Sequence, residues 1–457
     1  MNNISKNIDS GTNKSVTPGA YKIKSIEFFN HIDESFEIQN VVTKLVITES
    51  IYSNTLICKI SVRDTTNLVE EFPLIGQERV KIKLGQFGDD GSDKEIDLEF
   101  YVTEYPLYGR GREKHIQAFS FSGISKHAYV SRFKKISRAV DGLTSDGISN
   151  IVSNDLGSGS FVLNNPPISK FKGTINTQTP LDAIEWLRKK TYDDKKAPYY
   201  FFQTLNGDVN LSSHTELVEQ DVYFDYYSTR DFNYDPNSEE DYLQRKHRIL
   251  EITSDLKLGK IFQAIDGAYA SENFYLDVGN KTFTSTEFSY SGKFIKGEGE
   301  EPPARVGLDP VNSLGKKSPI SSDFLIDNAP INENYQSHHE YVSTNAFAFG
   351  EIEKNYNEMK KESGGITKAY VENLESVTHD LKLFGDYELN AGKVIDVNLP
   401  RAVEPDIQKD MLKKSDDGYF DKHLSGKYLI TSSIHTFENG EYFTQVKVKR
   451  DSFTINL

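Results

Sequence analysis

Gly392-Lys393-Val394-Ile395-Asp396-Val397-Asn398-Leu399 opens the stretch that decides the fold. Ile395, Val397 and Leu399 share one side of an extended chain and Asp396 and Asn398 the other, the period of two of a half-buried strand. Outward from it, Gly426-Lys427-Tyr428-Leu429-Ile430-Thr431-Ser432-Ser433-Ile434-His435 leads into Asn439-Gly440, and Tyr442-Phe443-Thr444-Gln445-Val446-Lys447-Val448-Lys449-Arg450 leads away. Asn-Gly between alternating runs is the strongest short hairpin signal, since both central residues of a type I′ turn need positive φ. The return strand sets Tyr442, Thr444, Val446 and Val448 against Gln445, Lys447 and Lys449. The tract 392–451 therefore predicts a long antiparallel hairpin with one wet face.

The composition agrees. The chain has 457 residues, enough for two to four domains that each bury a core. Phe and Tyr number 28 and 25 against one Trp and three Met, which suits sheets better than helical bundles. A formal net charge of −15 argues against binding nucleic acid by neutralising its backbone, and solubility accounts for most of it. The single cysteine, Cys58, excludes an internal disulfide framework, multi-thiolate zinc sites and CxxC redox chemistry. Nothing reads as a signal peptide, and no apolar run approaches the roughly 18 residues of a membrane span. The expectation is a soluble protein made in a cytoplasm, without stable membrane association.

Residues 1–19 are Asn/Ser/Lys-rich without periodicity and read as a flexible arm. From 20 to 122, alternating runs follow at Tyr21–Phe29, Val41–Thr48, Leu56–Val62, Arg79–Leu84, Ile96–Thr103 and His115–Ser122, the last two joined by a Gly109/Gly111 turn. Short strands without a long helix predict a sandwich or barrel. Within 123–230 the pattern changes. Thr144–Val152 reads as a short helix with hydroxyl caps, weakened by Gly147. Thr179-Pro180-Leu181-Asp182 is a cleaner start, with a capping Thr, Pro at the first helical position and a favourable N-terminal charge. Tyr199–Thr204 and Val209–Ser212 pair around Asn206-Gly207, completing a small α+β domain. Tyr223–Tyr242 reads as an acidic surface loop. Arg248–Ala268 fits a helix or strands equally, while Phe274–Asp277 and Lys281–Tyr290 read as strands. Lys293–Pro303 is Gly/Glu/Pro-rich, and low hydrophobicity continues to about Gln336. Asn355–Glu362 and Thr367–Val377 read as helical or extended connections.

Three sets of residues carry a family resemblance. At the C-terminus these are the strand ending at Pro400, Gly426-Lys427-Tyr428, His435, Tyr442-Phe443-Thr444 and Arg450-Asp451. Near the N-terminus they are Thr48-Glu49-Ser50-Ile51-Tyr52, Leu56–Asp64, Asn67-Leu68 and Phe72-Pro73-Leu74-Ile75-Gly76-Gln77-Glu78. Between them stand the Thr179-Pro180…Ala183-Ile184 helix and its aromatic hairpin. Together they resemble the baseplate central hub proteins of contractile-tailed bacteriophages, related to the hub part of type VI secretion spikes. The resemblance implies a mainly β fold with two tail-tube-like antiparallel β-barrels, 20–122 and 245–290 with 378–457. It also implies a small α+β domain, 123–230, and a peripheral inserted region, 291–377. Gly76–Leu84 followed by Phe100–Ser122 parallels Gly392–Leu399 followed by Tyr428–Arg450, which points to two barrels of one strand order.

The implied function is structural and non-enzymatic: a homotrimeric virion hub in the tail baseplate, assembled in the host cytoplasm. It would join a sixfold tail tube to a separate threefold central spike. Its further partners would be the tape-measure protein and baseplate wedge components, with DNA only in transit. The alternative is a tail-associated cell-wall hydrolase or a carbohydrate-binding β protein. The residues single out no catalytic, cofactor-binding or metal site. Ser337-His338-His339-Glu340 is the one compact metal-like group, and adjacent His residues on a strand point to opposite faces. HExxH, GxSxG and GxxxxGK[ST] are absent. Asp89-Asp90 and Asp416-Asp417 read as solvated loop carboxylates, and Trp186 as core. His435 falls on the outward set of its strand, where a hydrogen-bonded barrel histidine fits better than a base.

Overall fold

The computed structural model describes residues 21–64, 72, 75–76, 78–87, 93–110, 117–157, 160–228, 246–257, 261–278, 281–294, 325–326, 328–334, 338–344, 363–403, 419–421 and 423–451. The chain begins with β1 (Lys22–Phe29), β2 (Ser35–Glu37), β3 (Val42–Ser50), β4 (Ile57–Asp64), β5 (Arg79–Phe87), β6 (Asp93–Arg110) and β7 (Gln117–Ser125). The middle of the chain contributes α1 (Lys126–Phe133), β8 (Ile136–Leu143), α2 (Thr144–Ile151), β9 (Phe161–Val162), β10 (Lys170–Gln178), α3 (Pro180–Arg188), β11 (Tyr199–Gln203), β12 (Val209–Ser213) and α4 (His214–Glu219). Then come β13 (Val222–Tyr227), β14 (Ile249–Leu256), α5 (Ile261–Ile265), β15 (Ala270–Asp277), β16 (Thr282–Ser289), α6 (Tyr290–Phe294), β17 (Leu325–Ile326), β18 (Ala329–Pro330), β19 (His339–Thr344) and α7 (363–373). The C-terminal strands are β20 (Val377–Phe384), β21 (Val394–Asn398), β22 (Gly426–Glu438) and β23 (Glu441–Arg450).

Thirteen strands from the two ends of the chain form one sheet. Its N-terminal half runs β3-β4-β7-β6-β5-β1-β2, and its C-terminal half runs β14-β20-β23-β22-β21-β13. Matched in chain order (β1 with β13, β3 with β14, β4 with β20, β5 to β7 with β21 to β23), the halves share one strand order. Two of their irregularities coincide, while a second shift in β6·β7, between Glu104 and Leu107, has no counterpart in β22·β23. A bulge interrupts β3·β4 between Val42 and Lys44, and another interrupts β14·β20 between Ile249 and Glu251. The β6·β7 ladder shifts between Val102 and Glu104, and β22·β23 shifts between Ile430 and Ser432. The halves differ at their first strand, since β1 lies antiparallel to β5 and β13 parallel to β21.

The mainly β class follows from the alternating runs, but closed barrels do not. Among the described residues no strand pair closes either half into a ring. The outer edge of β3 is instead taken by β22, Ser432–Glu438 pairing with Lys44–Ser50. Bulges let β22 serve two neighbours, β21 along its first turn of ladder and β3 along the rest. The cores interlock accordingly: Tyr387, Phe437 and Tyr442 from the C-terminal half pack with Ile26, Ile60, Ile82 and Phe121 of the N-terminal half. The Asn439-Gly440 turn has φ of 53° and 80°, as its composition requires.

The middle of the chain packs around Ile148, Ile151, Phe171, Ile184, Leu187 and Phe201. Thr179 caps α3 by accepting from the Asp182 backbone N–H, with Pro180 in the first turn. Three expectations are corrected here and one open reading is resolved. The cap of α2 is Leu143, without a side-chain bond, and the Thr144 hydroxyl bonds Ser169 instead. Tyr223–Tyr227, expected within a loop, belongs to strand β13 of the large sheet. Arg248–Ala268, open between helix and strands from its periodicity, divides into a strand and a short helix. β15 and β16, grouped with the second barrel, pair with each other and with β19 in a sheet of their own. Pro73, Asn67 and Asn355–Glu362 lie outside the described residues.

Candidate functional site

The junction between the half-sheets holds the densest buried polar chemistry. Leu45, Ile47 and Glu49 of β3 share one face, and all three are fully buried. The Glu49 carboxylate accepts from two backbone groups distant in sequence, Leu205 N–H through Oε2 at 2.6 Å and Ala391 N–H through Oε1 at 2.7 Å. His435 Nε2 stands 3.6 Å from Oε1. The other imidazole nitrogen, Nδ1, is 2.8 Å from the Tyr442 hydroxyl, and burial pushes that phenol well above its usual range. One carboxylate thus ties the loop between β11 and β12, the loop before β21, and the β22·β3 seam. Hydrogen bonds to a charged acceptor are the strong kind, and their loss inside a core is costly.

His435 is therefore an inward residue, which corrects its outward assignment. The bulge between Ile430 and Ser432 adds a residue and inverts the alternation, so Ser433, His435 and Phe437 face the core. Glu49 stands in the N-terminal stretch Thr48-Glu49-Ser50-Ile51-Tyr52, whose composition alone does not name its role. The signal was a charged residue in the inward register of an alternating strand. A second anchor is Arg450, buried with its guanidinium 4.7 Å from the Tyr428 ring centre, donating to the Ser425 carbonyl at 2.8 Å and to that of His423.

The other sequence candidates stay apart. His338 Nε2 lies 2.6 Å from Lys368 Nζ, which also donates to Glu340, whereas His339 faces Glu272. Among the described residues no group of three His, Cys, Asp or Glu side chains is placed to hold a metal ion. Asp89-Asp90, Asp416-Asp417 and Ser337 lie outside the described residues. Trp186 is half-buried edge-on to Phe171, with Lys190 over its ring. A cleft of about 550 Å³ opens between the Ile51–Asn54 turn, α3 and α7, walled by Tyr52, Tyr192 and Tyr200. Its one carboxylate among the described residues is Glu185. Burial works to raise that pKa, but the Arg188 fork and Lys189 outweigh it and hold the group below its ordinary value. A glycosidase needs two carboxylates of opposed roles, and this cleft assembles one, already ion-paired. No helix among the described residues is long and apolar enough to cross a membrane.

No family model and no curated protein matches the sequence. Solved structures do match in shape. The tail protein from Neisseria meningitidis MC58 aligns over 94% of this chain and 97% of its own, with a TM-score of 0.50 and 10% identity. The 43 kDa tail protein of prophage MuSo2 from Shewanella oneidensis aligns over 93% and 98%, with a TM-score of 0.50 and 11% identity. The chain has the fold of these tail proteins along nearly its whole length.

Proposed function

We propose that the protein is the trimeric central hub of a contractile-tail baseplate, joining a sixfold tail tube to a separate threefold spike in the virion and letting DNA pass through its lumen. The observation that carries this reading is the repeated strand order, with its matching bulges, inside one chain. Three chains with two similar half-sheets each present six similar units, which is what a threefold-to-sixfold adaptor requires. Contacts between unlike halves are heterologous and close into a ring. The 123–230 unit and the 291–377 region are left for the periphery and the spike side. The fold shared with prophage tail proteins supports the same reading, and the single, ion-paired carboxylate of the Tyr52 cleft favours it over a hydrolase.

The test is the purified particle. Light scattering and electron microscopy should give a trimeric ring with a lumen, and zymography on peptidoglycan should give no clearing. The net charge of −15 leads to a lumen that repels phosphate, so DNA should not be retained at low salt. A monomer at all concentrations, or turnover abolished by one carboxylate substitution, would refute the proposal.

A further inference from the structure

The repeat also indicates how one chain meets the next. Inside the chain the halves join in one way: the distal part of β22 pairs antiparallel with β3, Ser432 opposite Ser50 and Phe437 opposite Leu45. In the shared strand order, β22 corresponds to β6 and β3 corresponds to β14. Both counterparts have an open side. Beyond its pairing with β5, which ends at Arg79↔Tyr101, the stretch 104–110 of β6 pairs only with β7 among the described residues. Among the described residues β14 pairs only with β20 and ends the sheet. Burial shows the same vacancy. Leu45 and Glu49 of β3 are fully buried under the junction, whereas Leu256, at the position of Glu49, is 38% exposed. Thr253, Ser254 and Asp255 are exposed as well.

We propose that in the ring residues 104–110 of β6 pair antiparallel with β14 of the neighbouring copy, repeating between chains the junction that β22 and β3 make within one. This deepens the hub proposal and rests on it, since a second copy is the occupant. The internal junction supplies the register. The bulges align Glu104 with Ser432 and Glu251 with Lys44; a second irregularity of β6, between Glu104 and Leu107, then brings Gly109 to Thr436, and the β14 ladder carries Thr253 to Val46 and Lys257 to Ser50. Between copies, Glu104 falls opposite Lys257 and Gly109 opposite Thr253. The first of these pairs is of opposite charge: Lys257, which already donates to Glu375 within its own chain, would meet a second carboxylate there. Unpaired strand edges are templates for another strand, and a heterologous edge contact that closes leaves none of these exposed.

Cysteine pairs test the register directly. The native Cys58 is buried and stays out of exchange. Directly opposed residues in an antiparallel pair lie within disulfide reach. Two in-register variants, E104C with K257C and G109C with T253C, are compared with the off-register pair E104C with T253C. A Cβ at Gly109 meets nothing within 4 Å, so that position accepts a side chain. Mild oxidation should give covalent trimers on a non-reducing denaturing gel from at least one in-register pair and not from the off-register pair. Trimers seen by light scattering with neither in-register pair cross-linked would overturn the edge pairing and leave the hub reading standing. Equal cross-linking of the off-register pair would overturn the register. Variants and wild type that are monomeric throughout would overturn both.

Discussion

Replacing Glu49 by alanine should destabilise the whole large sheet. The side chain is fully buried, so the change strips the acceptor from two buried N–H groups, Leu205 and Ala391. An orphaned buried donor costs about 1–3 kcal/mol. Two of them bring the expected loss to roughly 3–5 kcal/mol, the range found when one partner of a buried charged pair is removed. At a urea slope of about 3 kcal/mol/M this moves the midpoint down by about 1–1.7 M. Glu49→Gln keeps one accepting oxygen but turns an NH₂ toward the other donor, so it should fall between wild type and alanine. The assay is equilibrium urea unfolding followed in two ways. Far-UV circular dichroism reports the sheet, and fluorescence of the single Trp186 reports the separate core around α3. The dichroism midpoint should move more than the fluorescence midpoint. A loss below about 1 kcal/mol for Glu49→Ala would refute the reasoning, because it would mean water satisfies those donors.

Two further predictions concern the same neighbourhood. A Cβ added at Gly385 would sit 2.0 Å from Tyr442 Cδ1, in a ring stacked on Phe437 with 4.3 Å between ring centres, so Gly385→Ala should cost about 1–3 kcal/mol or more by overpacking, measured by thermal unfolding. Burial lowers the His214 pKa to about 4, and burial with the Arg450 charge lowers that of His379 to about 4, against an ordinary 6.5. Between these values the unfolded chain binds more protons, so stability is full above pH 6.5 and is lost as pH falls toward 4. His379→Gln should flatten part of that slope in urea titrations at stepped pH, and an unchanged slope would exclude His379 as a contributor.

Much of this fold could be read from the chain because its signals are local. Asn439-Gly440 and the alternation of Tyr442 to Val448 specify a hairpin without reference to anything distant, and Thr179-Pro180 specifies a helix start. The misassigned strands needed information that is not local. β15 and β16 alternate like any strand pair, but whether they join the large sheet depends on β19, found more than fifty residues downstream across low-hydrophobicity sequence. His435 was lost to a bulge, which shifts the register by one without a mark of its own in Ile430-Thr431-Ser432. Glu49 shows the same limit. Its inward register is visible in Leu45-Val46-Ile47-Thr48-Glu49, but its partners are backbone groups at 205 and 391, which no side-chain pattern announces.

The two halves are alike in order but not interchangeable, and the difference falls on their counterpart edges. β3 carries Glu49 where β14 carries Leu256, and only Glu49 finds the Leu205 and Ala391 N–H groups waiting for it. A sheet edge built from repeated units can pair with its own chain or with a neighbour, and backbone hydrogen bonds alone do not choose. A buried carboxylate with two dedicated donors does choose. Placing β14 in the seam would leave those donors unmet, and placing β3 at an outer edge would strand a carboxylate. The clamp thereby commits β3 to β22 within the chain, and β14, which carries no such clamp, is the edge the proposed ring contact would use. A hub built on repeated edges needs this asymmetry to assemble from closed chains rather than from swapped ones.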